Sequence, residues 1–132
     1  MRRLKKGVAG FLTGVCCMAM MSMTAFAGTD TTPAGEYGLL KGELSGNRSE
    51  VVSIASVTQN PDNAYLIVKL DAKNKLGKTL FATSKQSSRG IVKYIFHWQN
   101  LTSDCYSVFG TQGVQGGRTN PAKAVYTYTA LD

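Results

Sequence analysis

From Tyr37 to the C-terminus, short apolar runs alternate with clusters of turn residues. No window of twelve residues carries a 3.6-residue period. Seven runs rich in Val, Ile, Thr and Tyr read as strands: 37–45, 50–59, 64–72, 78–85, 91–98, 105–112 and 122–131. In the first, Tyr37 and Leu39 fall on one face, Leu40 and Leu44 on the other. The run 64–72, "AYLIVKLDA", is the most apolar and is expected to lie centrally in a sheet. In 91–98, Val92, Tyr94, Phe96 and Trp98 share one face, the natural core face, while Lys93, Ile95 and His97 share the other.

The separators carry turn chemistry. "NPDN" (60–63) has a proline that fixes φ and Asn and Asp side chains that bond their own backbone. "KNKLG" and "QSSRG" are also short, and "GVQGGRTNP" (113–121) reads as a long glycine-rich loop. Seven short strands with such spacing predict one all-β domain over 37–132, a small antiparallel sandwich or barrel with sequential hairpins as its simplest topology. Residues 28–36, "GTDTTPAGE", are small and polar and are expected to form a flexible lead-in.

The N-terminal 27 residues break this pattern. Arg2, Arg3, Lys5 and Lys6 precede an uncharged stretch that runs to Asp30, and Ala25-Phe26-Ala27 is a small-x-small cleavage motif. This is the layout of a secretory signal cut after Ala27. The stretch is long enough to span a bilayer, so a retained anchor is the alternative. Its Gly, Ala, Ser and Thr content makes it a poor permanent span. Val15 before Cys16 does not suit a lipoprotein cut. Contact with a membrane is therefore expected only through this segment.

Cleavage changes the charge. Four of the 15 Lys and Arg leave with the signal, and the remaining 11 face eight Asp and Glu, a net charge of +3 rather than +7. A mild positive charge of this kind argues against nucleic acid as the partner, because nucleic-acid binders gather Lys and Arg on one face. Lys73, Lys75 and Lys78 are the densest group and read as a solvated turn. Cleavage also removes Cys16 and Cys17. Cys105 then has no internal partner, and the domain must be held by its apolar core. Export without disulfides suits a bacterial, Gram-positive product. In a bacterial product the sequons at Asn47 and Asn100 carry no meaning.

Candidate chemistry is sparse. His97 and Cys105 flank "QNLTSD", and a hairpin there would make them cross-strand neighbours, the first requirement of a Cys–His pair. Asn100 and Asp104 stand nearby. No helix N-terminus lowers the thiol pKa, and a packed thiol is the ordinary role. A single histidine excludes His-rich zinc sites. Asp71 and Asn74 in "DAKNKLG", and the oxygens of "NPDN", would suit calcium but lack EF-hand spacing and serve equally as turn residues. Gly113, Gly116, Gly117 and Arg118 suggest a phosphate loop, yet a strand rather than a helix follows. The carboxylates form no recognisable glycosidase pair. No cofactor and no metal are expected.

What remains is surface. Tyr126 and Tyr128 share a face of the last strand; core packing is the ordinary role of such a pair, and an exposed aromatic strip is the alternative. With Trp98 and Arg118 they are the candidate partner-binding residues. The expected function is that of a secreted, non-catalytic β-domain binding a cell-envelope polymer or a partner protein, with the oligomeric state left open. A small bacteriocin-like antibacterial protein, by analogy of size and charge, and a Cys105–His97 enzyme are the competing functions.

Overall fold

Strand β3, Glu50–Val57, shows how the alternation becomes structure. Val51, Ser53, Ala55 and Val57 are buried, while Val52, Ile54 and Ser56 between them are half-exposed. The computed structural model describes residues 27–131 and is all-β. The other strands are β1 (Ala27–Pro33), β2 (Leu39–Gly46), β4 (Tyr65–Lys73), β5 (Thr79–Gln86), β6 (Lys93–Gln99), β7 (Ser107–Gln115) and β8 (Lys123–Ala130). They form two four-stranded antiparallel sheets. Sheet one has the order β1-β2-β3-β6 and sheet two the order β5-β4-β7-β8. The two sheets share one apolar core in a sandwich-like arrangement and do not close into a barrel.

Eight strands are present among the described residues, one more than the pattern predicts. Residues 28–36 are not a flexible lead-in. β1 pairs with β2 along its whole length, from Ala27 opposite Ser45 to Pro33 opposite Leu39, and Gly35–Tyr37 form a 3-10 turn. Polar composition hides this strand because it is a sheet edge. Pro33 ends it, where a missing N–H breaks no ladder. Tyr37 therefore does not share a strand face with Leu39. Gly38, at φ 82°, separates the two, leaving Tyr37 fully buried and Leu39 exposed. The expected signal segment, residues 1–27, lies outside the described residues except for Ala27, which opens β1.

Sequential hairpins hold only for β1–β2, β2–β3, β4–β5 and β7–β8. The links β3–β4, β5–β6 and β6–β7 cross between the sheets, so β6 pairs with β3 and β7 with β4. This interlocking is fastened at "NPDN". Asn60 accepts the N–H of Ala64 at 3.0 Å and donates to the carbonyls of Ala64 (3.0 Å) and Ile91 (2.8 Å), pinning two crossing links together. As the apolar run predicts, β4 is an inner strand of sheet two.

Leu40 and Leu44 from sheet one meet Leu66, Val68, Leu70, Val108, Val114 and Val125 from sheet two, all essentially without solvent contact. Each fully buried leucine contributes about 1.5–3 kcal/mol. One polar island interrupts the core. Gln112 of β7, fully buried, donates to Ser53 Oγ at 3.0 Å and to Thr127 Oγ1 at 2.8 Å, and its carbonyl accepts from Thr127 Oγ1 at 3.1 Å. Gly42 of β2 lies against this amide and leaves no room for a side chain of its own. At the β1–β8 side the sheets nearly touch. A methyl group on Gly28 would lie 2.6 Å from the Tyr128 carbonyl oxygen. The Asp30 carboxylate there accepts the N–H of Thr31 at 3.0 Å and faces the backbone N–H of Tyr126. Desolvation where the edges meet pushes this carboxyl above its ordinary value, and the two N–H bonds oppose that push.

Candidate binding face

Strand β8 alternates cleanly. Val125, Thr127 and Thr129 point into the core, so Tyr126 and Tyr128 point outward on sheet two. The ordinary core role of these tyrosines is thereby corrected. Thr127, between them, is the inward residue, anchored by Gln112. Tyr126 is 70% exposed and Tyr128 is half-buried.

Register adds neighbours that β8 alone does not reveal. Phe109 of β7 pairs with Tyr128, and their rings meet edge-to-face with centroids 4.8 Å apart. Phe109 is 47% exposed. Thr111 pairs with Tyr126 and, on its other side, with Lys69 of β4; Phe109 likewise pairs with Asp71. The ammonium of Lys73 lies 5.7 Å from the Phe109 centroid and donates to Thr79 Oγ1 at 2.6 Å. Further along β4, the Arg89 guanidinium lies 4.9 Å from the Tyr65 centroid and bonds the carbonyls of Asn63 and Gly116. The outer face of sheet two is thus a strip of three aromatic rings bordered by Lys69, Asp71 and Lys73. Parity in β7 carries a signal for Phe109. Val108, Gly110 and Gln112 share one face, which leaves Phe109 on the other.

The remaining candidates fall elsewhere. Trp98 is on the inner face of β6 and meets Phe81 of β5 edge-on, with centroids 5.5 Å apart, against the core. It belongs to the opposite side of the sandwich from Tyr126. Arg118 is exposed in the β7–β8 connection, at the end of the two strands that carry the aromatic strip. That connection is shorter than the expected loop, because β7 continues to Gln115. It is latched by buried Asp62. The Asp62 carboxylate accepts the N–H of Thr119 (3.0 Å), the N–H of Asn120 (2.9 Å), the Thr119 hydroxyl (3.1 Å) and the Tyr37 phenol (3.1 Å). The backbone N–H of Asn120, then that of Thr119, hold this carboxyl well below the usual carboxylate range. Burial, then the bond to Asp62, push the Tyr37 phenol up.

His97 and Cys105 are not cross-strand neighbours. β6 and β7 belong to different sheets. His97 points to solvent from sheet one, with Nδ1 2.7 Å from Glu50 Oε2, whereas the Cys105 thiol is fully buried in the core. Of the calcium candidates, Asp71 lies within strand β4 on its exposed face, whereas Asn74 and Asp62 are engaged in turns and links. Asn74 Oδ1 accepts the N–H of Leu76 (2.9 Å) and of Lys78 (3.0 Å), and Asp62 serves the latch. Among the described residues, no group of three or more His, Cys, Asp or Glu is arranged to hold a metal, and no helix is long and apolar enough to cross a membrane.

Set against protein-family models, curated proteins and solved structures, the chain gives no match.

Proposed function

We propose that the protein is an exported, non-catalytic β-domain that binds a component of the cell envelope through the outer face of sheet two. The observation that carries this reading is the exposed strip of Tyr126, Phe109 and Tyr128. Aromatic rings in contact with water on an open sheet face cost solvation that core packing would recover, and such patches mark sites of association. The separation of the buried Cys105 thiol from solvent-facing His97 supports a binding role over a cysteine-dependent one. Tyr37, Asp62 and Gln112 fix the strands behind and beside the strip, so the face is rigid before any partner arrives.

Export is tested by the N-terminus of protein recovered from the culture medium. A chain starting at Gly28 is expected; retention of residues 1–27 would replace the cleaved signal with a retained anchor, and absence of the protein from both medium and cell surface would sink the exported reading. Binding is tested by co-sedimentation of the purified protein with isolated bacterial cell walls at low and high salt. Binding that survives high salt and falls by about tenfold or more in Tyr126→Ala supports the proposal. Binding abolished by salt and indifferent to Tyr126 would reduce the interaction to net charge and refute a dedicated face.

A further inference from the structure

Charge is divided unequally between the two sheets. The segments that build sheet one, residues 27–57 and 93–99, carry Lys41, Arg48 and Lys93 against Asp30, Glu36, Glu43 and Glu50. The segments that build sheet two with its hairpin connections, residues 65–89 and 107–130, carry eight Lys and Arg against Asp71 alone. The small net charge of the domain conceals this division. An anionic chain is drawn to sheet two and meets no comparable attraction on sheet one.

Of these eight basic residues, Lys69 and Lys73 stand on the proposed binding face, beside the aromatic strip. Within the outer face, Tyr126 and Tyr128 are two residues apart along β8, about 6.8 Å, and Phe109 lies one strand over, about 4.8 Å away. Rings so placed offer apolar faces to the C–H faces of successive sugar units. The next strand supplies Lys69, Asp71 and Lys73 in alternation with inward residues. The lysines meet carboxylates, while Asp71 accepts hydroxyl hydrogens. Thr111, between Tyr126 and Lys69, adds a hydroxyl at the centre of the face.

We propose that the outer face of β4, β7 and β8 binds an acidic polysaccharide, with sugar rings on Tyr126, Phe109 and Tyr128 and carboxylates at Lys69 and Lys73. The inference rests on the binding-face reading above and adds the class of polymer.

Affinity electrophoresis of the purified protein through gels containing alginate, hydroxyethyl cellulose or no polymer tests it, with a fluorescent oligo-dT as a third probe. Alginate is expected to retard the protein. Tyr126→Ala and the pair Lys69→Gln/Lys73→Gln should each weaken retardation roughly tenfold. Lys75→Gln/Lys78→Gln, at the hairpin tip, should leave at least half of it. Unchanged unfolding midpoints in urea guard against lost structure. Equal retardation by the neutral cellulose, still dependent on Tyr126, would overturn the acidic specificity while leaving the binding face standing. Tighter binding of oligo-dT would overturn it in favour of single-stranded nucleic acid. Alginate binding that is indifferent to Tyr126, or equally sensitive to Lys75 and Lys78, would reduce it to diffuse charge. Retardation by none of the probes overturns the polysaccharide assignment, and wall co-sedimentation then decides separately whether the face binds at all.

Discussion

Gln112→Leu is expected to destabilise the fold by about 2–4 kcal/mol, although leucine is the more hydrophobic residue and nearly the same size. Gln112 bonds the Ser53 hydroxyl and supplies both bonds of the Thr127 hydroxyl in the core. Leucine removes these three hydrogen bonds and strips two buried hydroxyls of their amide partner. Each costs about 1–3 kcal/mol, and the apolar gain offsets only part of that. Urea unfolding followed by fluorescence measures the loss. The single tryptophan, Trp98, is half-buried against Phe81 and reports on the junction of both sheets.

The triple variant Ser53→Ala/Thr127→Val/Gln112→Leu distinguishes unpaired hydroxyls from misfit. It removes every member of the island at once and should recover most of the lost stability, because an apolar core of matched shape leaves nothing unsatisfied. A triple variant as unstable as the single one would show that the cost is steric, imposed by the tight approach of Gly42. The island also matters for the outer surface. Thr127 lies between Tyr126 and Tyr128, and its bond to Gln112 fixes which β8 residues face inward. A one-residue slip would turn both tyrosines into the core. Under the proposed function, Gln112→Leu is therefore expected to lose cell-wall binding at lower denaturant concentrations than the wild type.

Much of the architecture is legible where burial has a period. Alternation in 91–98 places Tyr94, Phe96 and Trp98 on the inner face, as observed, whereas Val92, which precedes the strand, is exposed; the apolar run 64–72 does mark an inner strand. β1 is not legible, because an edge strand with threonines and an aspartate on view has the composition of a linker. The crossing links are not legible either. "QNLTSD" has the length and residues of a hairpin turn, and only the pairing of β6 with β3 reveals that it joins two sheets. This one topological difference separates Cys105 from His97.

For the binding face, alternation places Tyr126 and Tyr128 together but does not say which way the pair points. The deciding residues are Val125 and Thr127. A strand with two threonines and one valine on its inner side does not resemble a core strand until Gln112 supplies the polar partner. Residue type alone groups Trp98 with the tyrosines, and the sandwich puts it on the other side. Lys69 and Lys73 are invisible as site residues because their relation to Phe109 runs across β4 and β7, between positions some 40 residues apart.

Asp62→Asn should give the second large effect, and its signature is in the pH dependence. The folded-state carboxyl is held well below its ordinary value of 3.8, first by the N–H of Asn120 and then by that of Thr119. A depressed acid stabilises the fold fully at pH values well above 3.8, and this contribution is lost progressively as the pH falls below 3.8 toward the folded value. The wild type should therefore lose stability steadily below about pH 4. The amide that replaces Asp62 has no charge to lose, so the variant should be less stable at pH 7 and show a flatter acid limb, and the two curves should converge at the lowest pH. Tyr37→Phe removes one neutral donor and keeps the carboxylate, so its acid limb should stay close to that of the wild type. Amide exchange supplies a local reading at neutral pH. Thr119 and Asn120 should exchange about tenfold faster or more in Asp62→Asn, while Val108 and Val114 in the core change only with global stability. Parallel pH curves for wild type and Asp62→Asn would show that the latch is not held by charge. The connection carrying Arg118 would then be fixed by the flanking strands alone.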